Sequence, residues 1–193
     1  MSNIKNQKFV GLDLSLNSSG IILINDNGHI LDYLSFTGNK KIITPKTISL
    51  FSINKAKDNY FKKIEFVVDN ILKFINKHLP DYIFIEGFSF GSNSRSVTSL
   101  AELQGSIKYN LNKLNISWKS FPPSTVKKFI TGNGHAQKED VKEACIKINE
   151  ESKILHNFDL FDAYACSLLG LFDIVYGHQI YEDFFKKISD NDN

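Results

Sequence analysis

The stretch that most restricts this chain is Lys8-Phe9-Val10-Gly11-Leu12-Asp13-Leu14-Ser15-Leu16-Asn17-Ser18-Ser19-Gly20, an apolar run carrying one carboxylate near its middle before turning polar. An ionised carboxylate buried without a partner costs several kcal/mol, or its pKa rises until it neutralises. Asp13 therefore calls for a cation or a metal. Taken alone, the motif is more commonly a strand-end Asp that caps the turn after it.

The order of elements after this run is that of an α/β protein. Residues 20–25 read as a second strand, and Asp26-Asn27-Gly28 as a hairpin turn whose two central residues must tolerate positive φ. A third strand over 29–36 leads into a polar, basic connection over about 37–57. Phe61, Ile64, Val68, Ile71, Leu72 and Ile75 recur with helical spacing, so an amphipathic helix runs to about His78 and ends before Pro80. Residues 82–85 form a fourth strand that again delivers an acid, Glu86, at its end. A helix over 96–114, a fifth strand over 116–121, and a short helix opened by Pro122-Pro123 and closed by Gly132 follow. A helix over 138–150 comes next. The last strong element begins at Asp159 and is apolar nearly all round, which is the signature of a buried helix. A short helix over 181–188 and an acidic end complete the chain.

At 193 residues, 42% hydrophobic and 23% charged, the chain suits one globular domain with a substantial core. The polar start and the absence of any run of membrane-spanning length predict an intracellular protein. Cys145 and Cys166 lie among apolar residues without metal-ligand spacing and read as buried free thiols. The net charge of +2 conceals an asymmetry: residues 105–150 hold eight lysines against four acids, and 151–193 hold three lysines against eight acids. A basic middle suits a polyanion, although a charge run is more often a solvated face.

Sequence-distant strands can be neighbours in an α/β sheet. Asp13, Glu86, and the pair Asp159 and Asp162, three residues apart on one face of the last helix, can therefore converge. Four unpaired acids repel one another, and divalent metal is the simplest compensation; hard oxygen ligands select Mg²⁺ or Mn²⁺. Two such ions about 4 Å apart can activate water and stabilise the leaving oxygen of a phosphodiester.

Four blocks then occur in a telling order: Gly11-Leu12-Asp13-Leu14-Ser15 with Gly20, Ile85-Glu86-Gly87, Val126-Lys127-Lys128 through Gly134 to Lys138, and Asp159-Leu160-Phe161-Asp162-Ala163. On them the chain resembles the RuvC-type Holliday junction resolvases of the ribonuclease H-like superfamily, and their compact phage forms more than the standard bacterial enzyme. The resemblance covers about residues 8–175 of a single domain over 1–193, leaving 176–193 as a C-terminal extension. It implies a ribonuclease H-like fold with a mixed five-stranded sheet, its first three strands an antiparallel meander, flanked by helices. The implied activity is Mg²⁺-dependent endodeoxyribonuclease cleavage that resolves four-way junctions, with other branched DNA as further substrates, by paired phosphodiester hydrolysis.

By the same resemblance Asp13, Glu86, Asp159 and Asp162 are a catalytic tetrad holding two Mg²⁺ ions, with Mn²⁺ as a substitute. Lys127 and Lys138 correspond to basic residues near the scissile phosphate, Lys138 acting in catalysis. Lys128, Phe88, Phe90 and Arg95 are further candidates for DNA contact. A homodimer is implied, with an interface involving the helix after Glu86; its Leu100, Leu103, Ile107, Leu111 and Leu114 form a stripe that packing against the protein's own sheet would equally explain. The chain departs from bacterial relatives in having Leu14 and Ser15 where they have Pro and Gly. It also has Ser89, between Phe88 and Phe90, where they carry a junction-wedging aromatic, so either Phe can take that part.

Each residue keeps a plainer reading. Asp159 can be a helix N-cap and Asp162 a first-turn acid favoured by the helix dipole. Lys127, Lys128 and Lys138 can be surface lysines, Phe88 and Phe90 loop anchors, and Arg95 a solvated loop residue. Rival functions are a ribonuclease H acting on RNA·DNA hybrids, a non-catalytic junction-binding protein, and an ATP-binding domain of the actin and sugar-kinase fold. The acid pair on the last helix, with a lysine-bearing block before it, favours the resolvase.

Overall fold

A computed structural model describes residues 6–37, 41–44, 48–50, 60–88 and 94–177. The strands are β1 (Lys8–Asp13), β2 (Ser19–Asn25), β3 (Ile30–Thr37), β4 (Lys41–Ile43), β5 (Ile48–Leu50), β6 (Tyr82–Glu86) and β7 (Ser117–Phe121), in the spatial order β5-β4-β3-β2-β1-β6-β7. The antiparallel meander of β1, β2 and β3 is present, and β6 and β7 add in parallel on the β1 side. The expected five strands thus form one continuous sheet. The polar connection after β3 contributes β4 and β5, two short antiparallel strands that extend the β3 edge.

Alternation along the strands sorts the core into two layers. Phe9, Ile22, Ile24 and Phe84 face one side; Val10, Leu12, Ile21, Leu23, Ile83 and Ile85 face the other. The second side is covered by α1 (Tyr60–His78) and α2 (Ser94–Lys113). The stripe Ile64, Val67, Val68, Ile71, Phe74 and Ile75 of α1 is buried there, each such side chain contributing about 1.5–3 kcal/mol on burial. The apolar stripe of α2 is taken up by the same layer: Leu103, Ile107 and Leu111 are fully buried within this chain and Leu100 packs beside them, so only Leu114 remains exposed.

The first side is covered by α3 (Pro123–Thr131), α4 (Lys138–Ile148), a 3₁₀ turn over Glu150–Ile154, and α5 (Phe158–Tyr176). Burial on nearly every side of α5 follows from its apolar composition, and both Cys145 and Cys166 are buried free thiols in this layer. Two glycines let α5 lie flush on the meander. A Cβ on Gly11 would fall 2.0 Å from the Ala163 carbonyl oxygen, and one on Gly20 would fall 2.1 Å from that of Asp159.

Two local details differ from expectation. In the β2–β3 hairpin Gly28 alone has positive φ, at 78°. The Gly28 N–H donates to the Asn25 carbonyl and the Asn25 N–H to that of His29, the pattern of a three-residue loop with one left-handed glycine rather than a two-residue turn. The N-cap of α5 is Asn157, whose Oδ1 accepts from the Leu160 N–H at 2.9 Å, so Asp159 is free of capping duty in the first turn. The expected helix over 181–188 lies outside the described residues.

Candidate active site

The same alternation that builds the two layers aims the acids. Counting from Phe9 and Phe84, Asp13 and Glu86 fall on the α5 side, at the carboxyl ends of adjacent parallel strands one residue beyond the Leu12–Ile85 pair. The exit of β6 is held from both sides: Gln104 of α2, 1% exposed, donates through Nε2 to the Glu86 carbonyl at 2.9 Å, and the Gly87 N–H donates to the Phe121 carbonyl at 2.8 Å.

Asp162, 6% exposed, projects from the first turns of α5 onto this pair. Carboxylate oxygens of Asp13, Glu86 and Asp162 all lie within 4.8 Å of one another. The carboxylate of Asp159 lies apart from this trio. Its Oδ2 accepts a hydrogen bond from the Ser18 hydroxyl, in the loop between β1 and β2. Its Oδ1 is 3.8 Å from Lys138 Nζ, which is also 3.9 Å from Asp162 Oδ2.

Lys138 is the first residue of α4, whose start is set by reciprocal hydrogen bonds between Gln137 and Asp140. Lys127 of α3 is half-buried and donates to the Ala136 carbonyl at 2.8 Å, which ties the loop before α4 back onto α3. Its positive charge still reaches Glu86 and Asp162. Lys128 is exposed on the same helix. Phe88 is half-buried just after β6; Phe90 lies outside the described residues, and Arg95 belongs to the first turn of α2.

The electrostatics match the crowding. Burial, then the charges of Glu86, Asp162 and Asp159, hold the Asp13 carboxyl well above the usual carboxylate range. Burial and the Asp162 charge push Glu86 up to about 7, against a hydrogen bond with Asp13 and the opposing charges of Lys127 and Lys138. Asp162 is pushed up to about 6, chiefly by burial, against the pull of Lys138. The trio thus retains protons near neutrality that a divalent cation would displace. Three converging hard oxygen donors with nothing but carboxylate character fit Mg²⁺ or Mn²⁺ and disfavour soft metals. Directly behind the trio, burial and the acids' charges push the Cys166 thiol up, which keeps it protonated and inert.

Three residues of the site were not among the candidates read from the sequence. Gln104 interrupts an otherwise aliphatic face of α2, and a polar residue at a core-facing position was its available signal. Phe158, 36% exposed, places its ring 6.0 Å from Lys138 Nζ at the rim. Ser18 touches Asp159 across 141 positions of sequence, a relation that local pattern does not carry.

Comparison with known proteins agrees with this geometry. The family described as "Crossover junction endodeoxyribonuclease RuvC" matches residues 9–169. Among curated relatives, the protein of that name from Ehrlichia ruminantium (strain Gardel) is 29% identical over 171 residues, covering 86% of this chain and 96% of its own. That from Porphyromonas gingivalis (strain ATCC BAA-308 / W83) is 31% identical over 159 residues, covering 79% and 82%. Among solved structures, Thermus thermophilus RuvC in complex with Holliday junction substrate superposes with a TM-score of 0.67 at 13% identity, over 89% of this chain and 97% of that one. The last likeness is one of fold.

Proposed function

The chain belongs to the RuvC family of crossover junction endodeoxyribonucleases, and from that premise we propose that it resolves Holliday junctions by metal-dependent hydrolysis of paired phosphodiesters. The observation that carries the reading is the convergence of Asp13, Glu86 and Asp162 within 4.8 Å at the carboxyl ends of β1 and β6.

Asp13, Glu86 and Asp162 would hold one divalent cation, and Asp159 would contribute to holding a second. When bound, Mg²⁺ or Mn²⁺ there supplies Lewis acidity at the scissile phosphate and a water of lowered pKa. The protein's own part is to hold the oxygens. The paired strands fix Asp13 and Glu86, the sheet-seated α5 fixes Asp162, and Gln104 fixes the backbone that carries Glu86. Lys138 neutralises the outer edge of the cluster and is the group best placed to meet a phosphate oxygen arriving at Asp159 and Asp162. Lys127 and Lys128 extend that positive edge along α3, and Phe88, Phe90 and Arg95 are the further candidates for DNA contact in the segment after β6.

One nuclease domain with the core over about 8–175 accommodates all of these parts. A four-way junction is itself roughly two-fold, so paired nicks favour a C2 dimer with one site per subunit. The buried members of the α2 stripe are already used. What supports an interface is the outer surface of α1 and α2, where Phe61 (70% exposed) and Tyr109 (63% exposed) line one shallow groove.

Incubation with labelled four-way junction, replication fork, linear duplex and RNA·DNA hybrid in Mg²⁺ tests the reading. Symmetric nicks confined to branched DNA are the expected result; preferential cleavage of the hybrid, or no cleavage of the junction, overturns it.

A further inference from the structure

The loop Ser15–Ser19 between β1 and β2 is closed by its own side chains. The Ser15 Oγ accepts from the Ser18 N–H at 2.9 Å and donates to the Ser18 carbonyl at 2.5 Å. The Ser19 Oγ accepts from the Ser15 N–H at 2.9 Å and donates to the Ser15 carbonyl at 2.7 Å. Serine hydroxyls bonded in this way to nearby backbone fix a turn that would otherwise sample many conformers. Beyond it, Ser19 is fully buried and Gly20 lies against the backbone of Asp159 itself. The loop is therefore rigid within itself and seated on the first turn of α5. From this lattice the Ser18 hydroxyl reaches the site and donates to Asp159 Oδ2.

Resting on the proposed metal-dependent function, we propose that Ser18 is a positioning residue that sets the orientation of the Asp159 carboxylate for the second cation. Asp159 is otherwise at liberty to rotate. It does not cap α5, its backbone is fixed by the glycine contact, and among the described residues its other oxygen pairs with Lys138, whose side chain is half-exposed and long. With Oδ2 occupied by Ser18, Oδ1 is the oxygen turned toward Lys138 and the Asp162 side of the cluster. A carboxylate so tethered offers one oxygen in a defined direction without losing side-chain entropy when a cation arrives. Hydrogen-bonded partners of metal-ligating carboxylates typically govern affinity by about 10–100-fold. Among the described residues the Ser18 hydroxyl is bonded to Asp159, so a cation held by Asp13, Glu86 and Asp162 would not depend on it directly.

Calorimetric titration of Mn²⁺ into the metal-free protein tests this, with Ser18→Ala, Ser18→Thr, Asp159→Asn and the Ser18→Ala/Asp159→Asn double variant. For Ser18→Ala the weaker of two binding steps should lose about tenfold in affinity and the tighter step should not change. Ser18→Thr, which keeps the hydroxyl, should bind as wild type. The double variant should be no weaker than Asp159→Asn alone, because the two residues act through one contact. Half-saturating Mg²⁺ for cleavage should shift with the weaker step. Wild-type isotherms from Ser18→Ala, equal loss in both steps together with a lowered thermal midpoint, or a Ser18→Thr protein that behaves like the alanine variant would each overturn the assignment. Absence of any Mn²⁺ binding by wild type would instead remove the metal-dependent reading of the site.

Discussion

Asp13 and Glu86 end two adjacent parallel strands, one residue past the Leu12–Ile85 pair, and their carboxyl groups share a hydrogen bond. Two carboxyl groups so joined cannot both be ionised without cost, and Asp162 adds a third negative charge. The site therefore works against the metal-free fold at neutral pH.

That conflict has a definite sign. Glu86 is pushed up to about 7 and Asp162 to about 6 in the folded protein, above their ordinary values, so the folded state binds more protons than the unfolded state between roughly pH 4 and pH 7. The stabilising contribution is present at low pH and is lost as the pH rises through those values. Asp162→Asn removes one of the charges. In the presence of a chelator it should be more stable than wild type at pH 8 by about 1–3 kcal/mol, with the difference falling to about half at pH 5 and vanishing below about pH 4. Urea unfolding at these pH values checks it; a variant less stable than wild type at pH 8 would contradict the account.

Gly20 tests how closely α5 must sit. A Cβ there meets the Asp159 carbonyl at 2.1 Å and the Leu160 nitrogen at 2.6 Å, all backbone, so no side-chain rotation relieves the clash. Gly20→Ala should destabilise the protein by about 1–3 kcal/mol or more and impair cleavage beyond what stability explains, because the first turn of α5 carries Asp159 and Asp162. Denaturant unfolding alongside single-turnover cleavage separates the two losses. A stable, fully active Gly20→Ala protein would show that α5 does not depend on this contact.

Much of this was legible in the sequence. Alternation along residues 8–13 and 82–86 places both strand-end acids on one face, and the spacing of Asp159 and Asp162 places both on one side of a helix whose apolar composition demands burial. What was not legible depends on contacts between distant segments. Nothing local to Asp159 says that its carboxylate would be drawn to Ser18 rather than to the trio. The leucine stripe of α2 is compatible with a partner subunit or the chain's own sheet, and only the packing of Leu103, Ile107 and Leu111 beneath α2 decides it. The strands β4 and β5 are three residues each, too short for alternation to register against their polar surroundings.

The two kinds of lysine should separate kinetically. Lys138 stands beside two acids of the site, whereas Lys128 is carried on the exposed side of α3. Lys138→Ala should lower the single-turnover rate more than junction affinity, since only interactions stronger in the transition state accelerate chemistry. Lys128→Ala should weaken binding to all DNA shapes alike and reduce the salt slope by about one unit. Equal losses of rate and affinity for Lys138→Ala would reduce it to an ordinary backbone contact.

The most direct test of the acidic cluster as the seat of hydrolysis is single-turnover cleavage of a labelled four-way junction in Mg²⁺ by wild type, Asp13→Asn and Glu86→Gln, with junction binding and thermal unfolding measured on the same preparations. The account predicts a loss of cleavage of at least about 100-fold in both variants, beyond what is typical of residues outside the metal shell, with binding and folding retained. Cleavage at the wild-type rate in either variant would contradict it.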